Sequence, residues 1–90
     1  MTLTSINPAT GEKLDEYTNH TADVVTARID NAHAAFEDWR WSSMEERSRL
    51  LNNAADVLEQ KRDEYALLMT REMGKPIAQS VAEIDKCANA

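Results

Sequence analysis

The arrangement of the chain is decided by the stretch TREMGKPI, residues 70–77, in which one helix ends and the next begins. Gly74 is a typical C-terminal stop, because glycine readily adopts the left-handed conformation that closes a helix. Pro76 is well placed at the first position of a new helix, where its fixed φ suits the helix and its missing N–H is not needed. The stretch therefore predicts two helices, over residues 43–73 and 76–90.

The helix before this stretch begins with a clear start signal, SSMEE, at residues 42–46. Each of the two serines has a glutamate three residues later, which is the spacing of a capping box. Apolar residues then recur at helical spacing until residues 59–64, where six charged or amide side chains interrupt them. This interruption predicts a kink or break around residues 60–63.

The two remaining helical segments each show one apolar face. Thr21 is a suitable N-cap for a helix over residues 21–40, whose apolar positions follow a 3.6-residue period. They are Val25, Ile29, Ala32, Phe36 and Trp39. The last helix has Ile77, Val81, Ile84 and Ala88 on one face and contains no stop signal, so we expect it to run to Ala90.

Residues 1–20 have a different character. Strands are predicted at residues 3–6 and 13–18, and the segment between them is rich in turn formers such as Pro8 and Gly11. The predicted fold class is mainly α with an N-terminal β-hairpin. We interpret residues 1–90 as a single segment, with the hairpin in 1–20 and helices in 21–90, and these elements together could close a small bundle.

Charge and hydropathy exclude several classes of protein. The 90 residues include 10 basic and 16 acidic side chains, a net charge of −6, which argues against a nucleic-acid partner and against an anionic membrane surface. No apolar run approaches the roughly 20 residues of a membrane-spanning helix. The opening residues MTLTSINP lack the features of a signal peptide, so we expect a cytoplasmic location.

No constellation of catalytic, cofactor-binding or zinc-binding residues is visible. The chain contains no GxGxxG and no GxxxxGK[ST] motif, so no phosphate cradle is predicted. His20, His33 and the single cysteine, Cys87, do not have the spacing of a zinc site. We interpret Cys87 as a structural or incidental thiol.

Five stretches together resemble the opening part of aldehyde dehydrogenases, in the order and spacing of that family. They are SINPATGE at 5–12, AAFEDW at 34–39, ERSRLL at 46–51, ADVLE at 55–59 and TREMGKPI at 70–77. The last stretch is the most specific, and it is similar to the branch that oxidises succinate semialdehyde with NAD or NADP.

The resemblance implies that the chain is the N-terminal segment of such an enzyme, within its α/β NAD(P)-binding domain. The family oxidises an aldehyde to a carboxylate through a cysteine thioester, with hydride transfer to the nicotinamide. Its catalytic cysteine, glutamate and asparagine and its Rossmann strands lie beyond the stretch seen here. We therefore expect no catalytic residue, no bound cofactor and no aldehyde oxidation in this chain alone.

The resemblance also implies one weak metal site. Some family members bind a monovalent cation through backbone carbonyls before the Asn-Pro pair and through an acid two residues before the Gly-Lys pair. The matching positions are Ser5, Ile6 and Glu72, and oxygen ligands of this kind suit a hard cation. The alternative is that Glu72 only caps its helix or faces solvent.

Two interpretations of the isolated chain stay open. It is either a segment whose partner is the rest of the enzyme, or a stand-alone helical interaction module. In both cases a thin assembly leaves large apolar side chains uncovered, so we expect self-association. The face predicted for that contact carries Leu50, Leu58, Leu68 and Ile84.

Overall fold

A computed structural model describes residues 1–90 and shows a two-stranded hairpin followed by four helices. The predicted fold class, mainly α with an N-terminal β-hairpin, is confirmed. The strands are β1 (Thr2–Ile6) and β2 (Lys13–Thr18), and the helices are α1 (Ala22–Trp39), α2 (Met44–Gln60), α3 (Arg62–Met73) and α4 (Ile77–Asn89).

The hairpin is antiparallel and contains a bulge. Thr2 pairs with Thr18 and Ser5 pairs with Asp15, but the register shifts between Ser5 and Ile6. The turn closes because the backbone N–H of Asn7 donates to the carbonyl of Glu12 at 2.8 Å. Gly11 supplies the left-handed conformation that this turn requires, with φ +77°.

The N-caps of α1 and α2 are residues predicted from the sequence, and the structure decides between Ser42 and Ser43 as the N-cap of α2. The Thr21 hydroxyl accepts a hydrogen bond from the N–H of Val24 at 3.4 Å, and the Ser43 hydroxyl accepts one from the N–H of Glu46 at 3.1 Å. Ser43 is therefore the N-cap of α2. Ser42 instead donates its hydroxyl to the carbonyl of Trp39 at 2.7 Å, at the end of α1.

The helix ends refine the predicted boundaries. The expected kink is a complete break at Lys61, where the backbone leaves the helical conformation and α3 begins without a side-chain cap. Gly74 ends α3 in the left-handed conformation, with φ +73°, as predicted. Pro76 is the N-cap of α4 and not its first helical residue, so α4 begins one position later than expected.

The small core lies where α4 packs against α3. Ala66 and Ser80 are completely buried, and Ile84 is 7% exposed. The hydroxyls of Ser80 and Thr70 share a hydrogen bond of 2.9 Å, which satisfies both polar groups at the contact. Arg62 and Asp85, 3.3 Å apart, form an ion pair between the same two helices, and α4 also packs along α2.

The molecule is a single layer. Its dimensions are 47 × 37 × 14 Å, and the smallest is close to the roughly 10–12 Å diameter of one helix with its side chains. Its radius of gyration is 17.4 Å, compared with about 12 Å for a compact domain of this length. The elements do not close into the small bundle that the sequence allowed, because one layer of helices has no second layer to pack against.

Helix α1 shows this most clearly. None of its residues is buried, and it has no extended packing contact with any other element. Its predicted apolar face forms a stripe on the helix surface, with Ile29 63% exposed and Phe36 51% exposed. We call Val25, Ile29, Ala32, Phe36 and Trp39 the α1 stripe.

The four residues predicted to form the self-association face are not all exposed. Ile84 is buried against α3, and Leu58 is half-buried. Leu50 and Leu68 remain exposed, at 38% and 54%. The four residues do not form one free surface, because α4 packs against both α2 and α3 and Ile84 is buried.

The first turn of α2 yields a prediction about pH. The Arg49 guanidinium donates hydrogen bonds of 2.6 and 3.2 Å to the Glu46 carboxylate and holds the pKa of Glu46 below its ordinary value. Because this pKa is lowered by folding, the ionised Glu46 stabilises the fold above its unfolded pKa. That contribution is lost as the pH falls through the folded pKa. We expect Arg49→Gln to raise the pKa of Glu46, as measured by NMR titration of the carboxyl carbon.

The control for this prediction is Arg28→Gln, which removes a positive charge from α1. It is expected to leave the Glu46 titration unchanged, because Arg28 makes no ion pair. Equal Glu46 pKa values in the Arg49 variant and the Arg28 variant would contradict the account.

Candidate functional site

The predicted site residues meet where the hairpin docks on the end of α3. The Ser5 hydroxyl of β1 donates a hydrogen bond of 2.7 Å to Oε1 of Glu72, in the last turn of α3. These residues are 67 positions apart in sequence. The structure therefore brings together Ser5 and Glu72, and Ile6 follows Ser5 at the β-bulge.

Local backbone geometry places the two sides of this junction. After the bulge, Pro8 lies in the hairpin turn and packs against Gly74, where α3 ends. A Cβ atom added to Gly74 would lie 3.0 Å from Cγ of Pro8. Glycine is needed at this position both for its positive φ and for the close approach of the proline ring.

The junction carries charges of both signs. A cleft of about 230 Å³ lies between β2 and the end of α3, and its charged lining consists of Glu12, Lys13, Asp15, Arg71 and Glu72, beside Tyr17. The pKa of Tyr17 is raised, chiefly by the charge of Asp15 and to a smaller extent by that of Glu72. Both carboxylates therefore disfavour the ionised form of Tyr17.

The donor set at the junction fits part of a cation site. Carboxylate and carbonyl oxygens are the ligands that hard cations prefer. One carboxylate, Glu72, is in place next to Ser5, and its Oε1 already accepts the Ser5 hydroxyl. The chain contains no group of three His, Cys, Asp or Glu side chains that could hold a metal ion. Ser5, Ile6 and Glu72 can therefore supply only part of a coordination shell.

The dinucleotide cofactor does not fit this chain. Rossmann folds bind it at the carboxyl edge of parallel strands, next to a glycine-rich turn and a helix N-terminus. The only sheet here is the antiparallel pair β1–β2. Cys87 lies exposed on α4.

Sequence reasoning missed two contacts in this region. It assigned a role to the backbone carbonyl of Ser5, whereas the structure shows its hydroxyl bonded to Glu72. It also treated Pro8 and Gly74 as separate turn signals, although the two residues touch. The spacing of turn residues along the chain contains no information about contacts between distant turns.

The comparisons with known proteins agree with this fold. The profile of the aldehyde dehydrogenase family matches residues 1–90. The chain is 46% identical over 88 residues to a protein from Synechocystis named probable succinate-semialdehyde dehydrogenase (NADP+). It is 47% identical over 88 residues to succinate-semialdehyde dehydrogenase (NADP+) 1 from Mycobacterium bovis. Each alignment covers 98% of this chain and 19% of the relative.

A solved structure shows the same relationship. The crystal structure of succinic semialdehyde dehydrogenase from Streptococcus pyogenes in complex with NADP+ matches with a TM-score of 0.86 and 35% identity. The match covers 94% of this chain and 19% of that one. The chain belongs to the aldehyde dehydrogenase family, and its structure matches the N-terminal part of that fold. It spans about a fifth of the length of the curated relatives that it matches (19%).

None of α1 to α4 combines the length and the apolar character that crossing a bilayer requires.

The two glycines with positive φ provide a matched test of hairpin docking. Gly11→Ala places a Cβ in open space, so we expect only the cost of a left-handed alanine, about 1–2 kcal/mol of unfolding free energy. Gly74→Ala has the same strain and also crowds Pro8, so we expect a loss about 1 kcal/mol larger. Urea unfolding of both variants checks this, and equal losses would contradict the contact between the hairpin turn and α3.

Proposed function

We propose that this chain is the N-terminal part of an NAD(P)-dependent aldehyde dehydrogenase of the succinate-semialdehyde type. Such an enzyme oxidises the aldehyde to a carboxylate through a cysteine thioester. The observation that supports this proposal is the 46–47% identity, over 88 residues, to relatives named for that activity. The same names support NADP as the cofactor of the whole enzyme, and a relative from Escherichia coli that is named for NAD(P)+ supports NADP or NAD.

In this proposal the chain contributes architecture and no chemical step. Its residues form one layer, and the α1 stripe and other large side chains such as Trp41 and Leu51 are exposed. Burying one such side chain is worth about 1.5–3 kcal/mol, so a second layer supplied by the rest of the enzyme would gain much stability. The partner of this chain is then the downstream polypeptide, and the cytoplasmic location stays a prediction.

The junction of hairpin and α3 has a possible second role in the whole enzyme. We propose that the carbonyls of Ser5 and Ile6 and the carboxylate of Glu72 supply part of the shell of a monovalent cation. The hydrogen bond between Ser5 and Glu72, which places this carboxylate beside the β-bulge, supports this proposal. Residues outside this chain would supply the remaining oxygens.

The proposal predicts activity for the whole enzyme and none for this chain. The 90-residue chain and the protein encoded by the complete gene are assayed side by side for NADPH or NADH formation. The substrates are succinate semialdehyde and acetaldehyde. We expect the complete protein to prefer succinate semialdehyde, and the chain alone to form no reduced cofactor, because it has no cofactor site.

Two outcomes would contradict this proposal. A folded complete protein that oxidises neither aldehyde would overturn the function. Activity of the chain alone that disappears in Cys87→Ser would show that Cys87 is a nucleophile and that the proposed division of roles is wrong.

The exposed α1 stripe favours self-association of the isolated chain. Without its second layer, the chain has Ile29 and Phe36 more than half exposed on one helix face. We propose that the isolated chain self-associates through this stripe, because pairing two copies removes the same apolar surface from water twice. The stripe replaces the face that the sequence predicted for this contact.

A pair of aspartate variants tests this behaviour. Ile29→Asp places a carboxylate in the α1 stripe, whereas Ala34→Asp places one on the opposite side of the same helix. We expect light scattering across a dilution series to show dimers for the unsubstituted chain and for Ala34→Asp. Ile29→Asp is expected to be monomeric at the same concentrations. An unsubstituted chain that stays monomeric at every concentration would refute self-association. Equal association of the two variants would show that the α1 stripe is not the contact surface.

A further inference from the structure

Helix α1 lies in the plane of the layer although it has no extended packing contact with another element. No residue of α1 is buried, and a short linker at residues 40–43 joins it to α2. Yet the whole molecule, α1 included, is only 14 Å thick, so α1 lies in the same layer as the other helices. Something near the linker must restrict the angle between α1 and α2.

Two backbone hydrogen bonds close the linker itself, and one side chain of α2 makes every hydrogen bond that joins α2 to the end of α1. The guanidinium of Arg47, in α2, donates from Nη2 to the carbonyl of Trp39 at 3.3 Å and to that of Arg40 at 3.2 Å. Its Nε donates to the Ser42 hydroxyl at 2.9 Å. The guanidinium carbon also lies 5.6 Å from the centre of the Trp39 ring.

The chemistry of a helix end explains why an arginine is suited to this place. The last carbonyls of α1 lack helical partners and carry partial negative charge, so they favour a cation. The last turn of α1 has no basic residue of its own. Arg47 supplies the charge from the next helix, and its planar fork binds the carbonyls and the Ser42 hydroxyl together.

We propose that Arg47 is a positioning residue that fixes α1 in the plane of the layer by tying the end of α1 to the first turns of α2. The fixed angle determines the direction in which the α1 stripe faces. This inference rests on the contacts of Arg47 and is independent of the proposed enzymatic function. A lysine at this position keeps the charge but has no fork, so it holds fewer of these groups at once.

The experiment measures the position of α1 directly. Cys87 on α4 is exposed and is the only cysteine, so one added cysteine gives a pair of spin labels. Ala27→Cys places the second label on α1, on the side away from the α1 stripe. Double electron–electron resonance then gives the distribution of distances between residues 27 and 87. An excess of unlabelled chain suppresses distances between copies.

The Arg47 variants are compared with a control from the same helix. In this labelled chain we expect Arg47→Gln to broaden the distance distribution at least twofold and Arg47→Lys to broaden it less. Arg49→Gln removes the nearby pair with Glu46 and leaves the linker contacts intact, so its distribution stays narrow. The helical signal in far-ultraviolet circular dichroism is expected to be the same for all four chains. The tryptophan emission, to which Trp39 and Trp41 both contribute, is expected to shift only in the Arg47 variants.

Three outcomes would overturn the proposal. One is a narrow distribution in a helical Arg47→Gln chain, and another is a broad distribution in the unsubstituted chain. If Arg47→Gln loses its helical signal, the distance distribution of the Arg47→Lys chain tests the proposal instead. A narrow distribution in a helical Arg47→Lys chain would show that the guanidinium fork is not what fixes α1.

Discussion

The close contact between α3 and α4 holds the layer together. Ala66 and Ser80 are small enough to let the two helices approach, and both are completely buried at their crossing. The hydroxyls of Thr70 and Ser80 bond to each other, so the contact buries no unsatisfied hydroxyl. Ile84 adds the one large apolar side chain that is buried, at 7% exposure. Of the remaining elements, α2 packs along α4 and the hairpin docks at the end of α3, whereas α1 has no extended packing contact.

A layer built in this way has a core too small to explain its apolar content. The α1 stripe is exposed, and Trp41 is 77% exposed at the linker. Stable domains bury such faces between at least two layers of secondary structure. The relatives of this chain are about five times its aligned length, since 88 residues make up 19% of them. The proposed role as an outer layer of an aldehyde dehydrogenase would meet this requirement, because the rest of the enzyme would cover the exposed apolar faces.

Much of the fold was predictable because its signals are local. The caps Thr21 and Ser43, the stop at Gly74 and the break near Lys61 each depend on a few neighbouring residues, and the structure has all four. The packing of the elements was not predictable in the same way. An apolar stripe shows that a helix face is suited to burial, but it does not show what buries it. Ile84 is buried in this structure, whereas no residue of the α1 stripe is buried.

The candidate site was likewise predictable only in part. The family resemblance indicated Ser5 and Glu72, and the structure places them in contact, but through a hydroxyl that no local pattern had singled out. Arg47 was visible only as one residue of a family motif, because its role depends on the carbonyls at the end of the preceding helix. Contacts between a side chain and the backbone of another element leave no regular spacing in the sequence.

The central claim is that residues 1–90 form one open layer and do not close on themselves. Small-angle X-ray scattering, extrapolated to zero concentration so that association does not contribute, tests it most directly. The account predicts a radius of gyration close to the 17.4 Å of this structure and a flat, elongated particle. A value near the roughly 12 Å of a compact 90-residue domain would show that α1 folds back to complete a core, and would contradict the account.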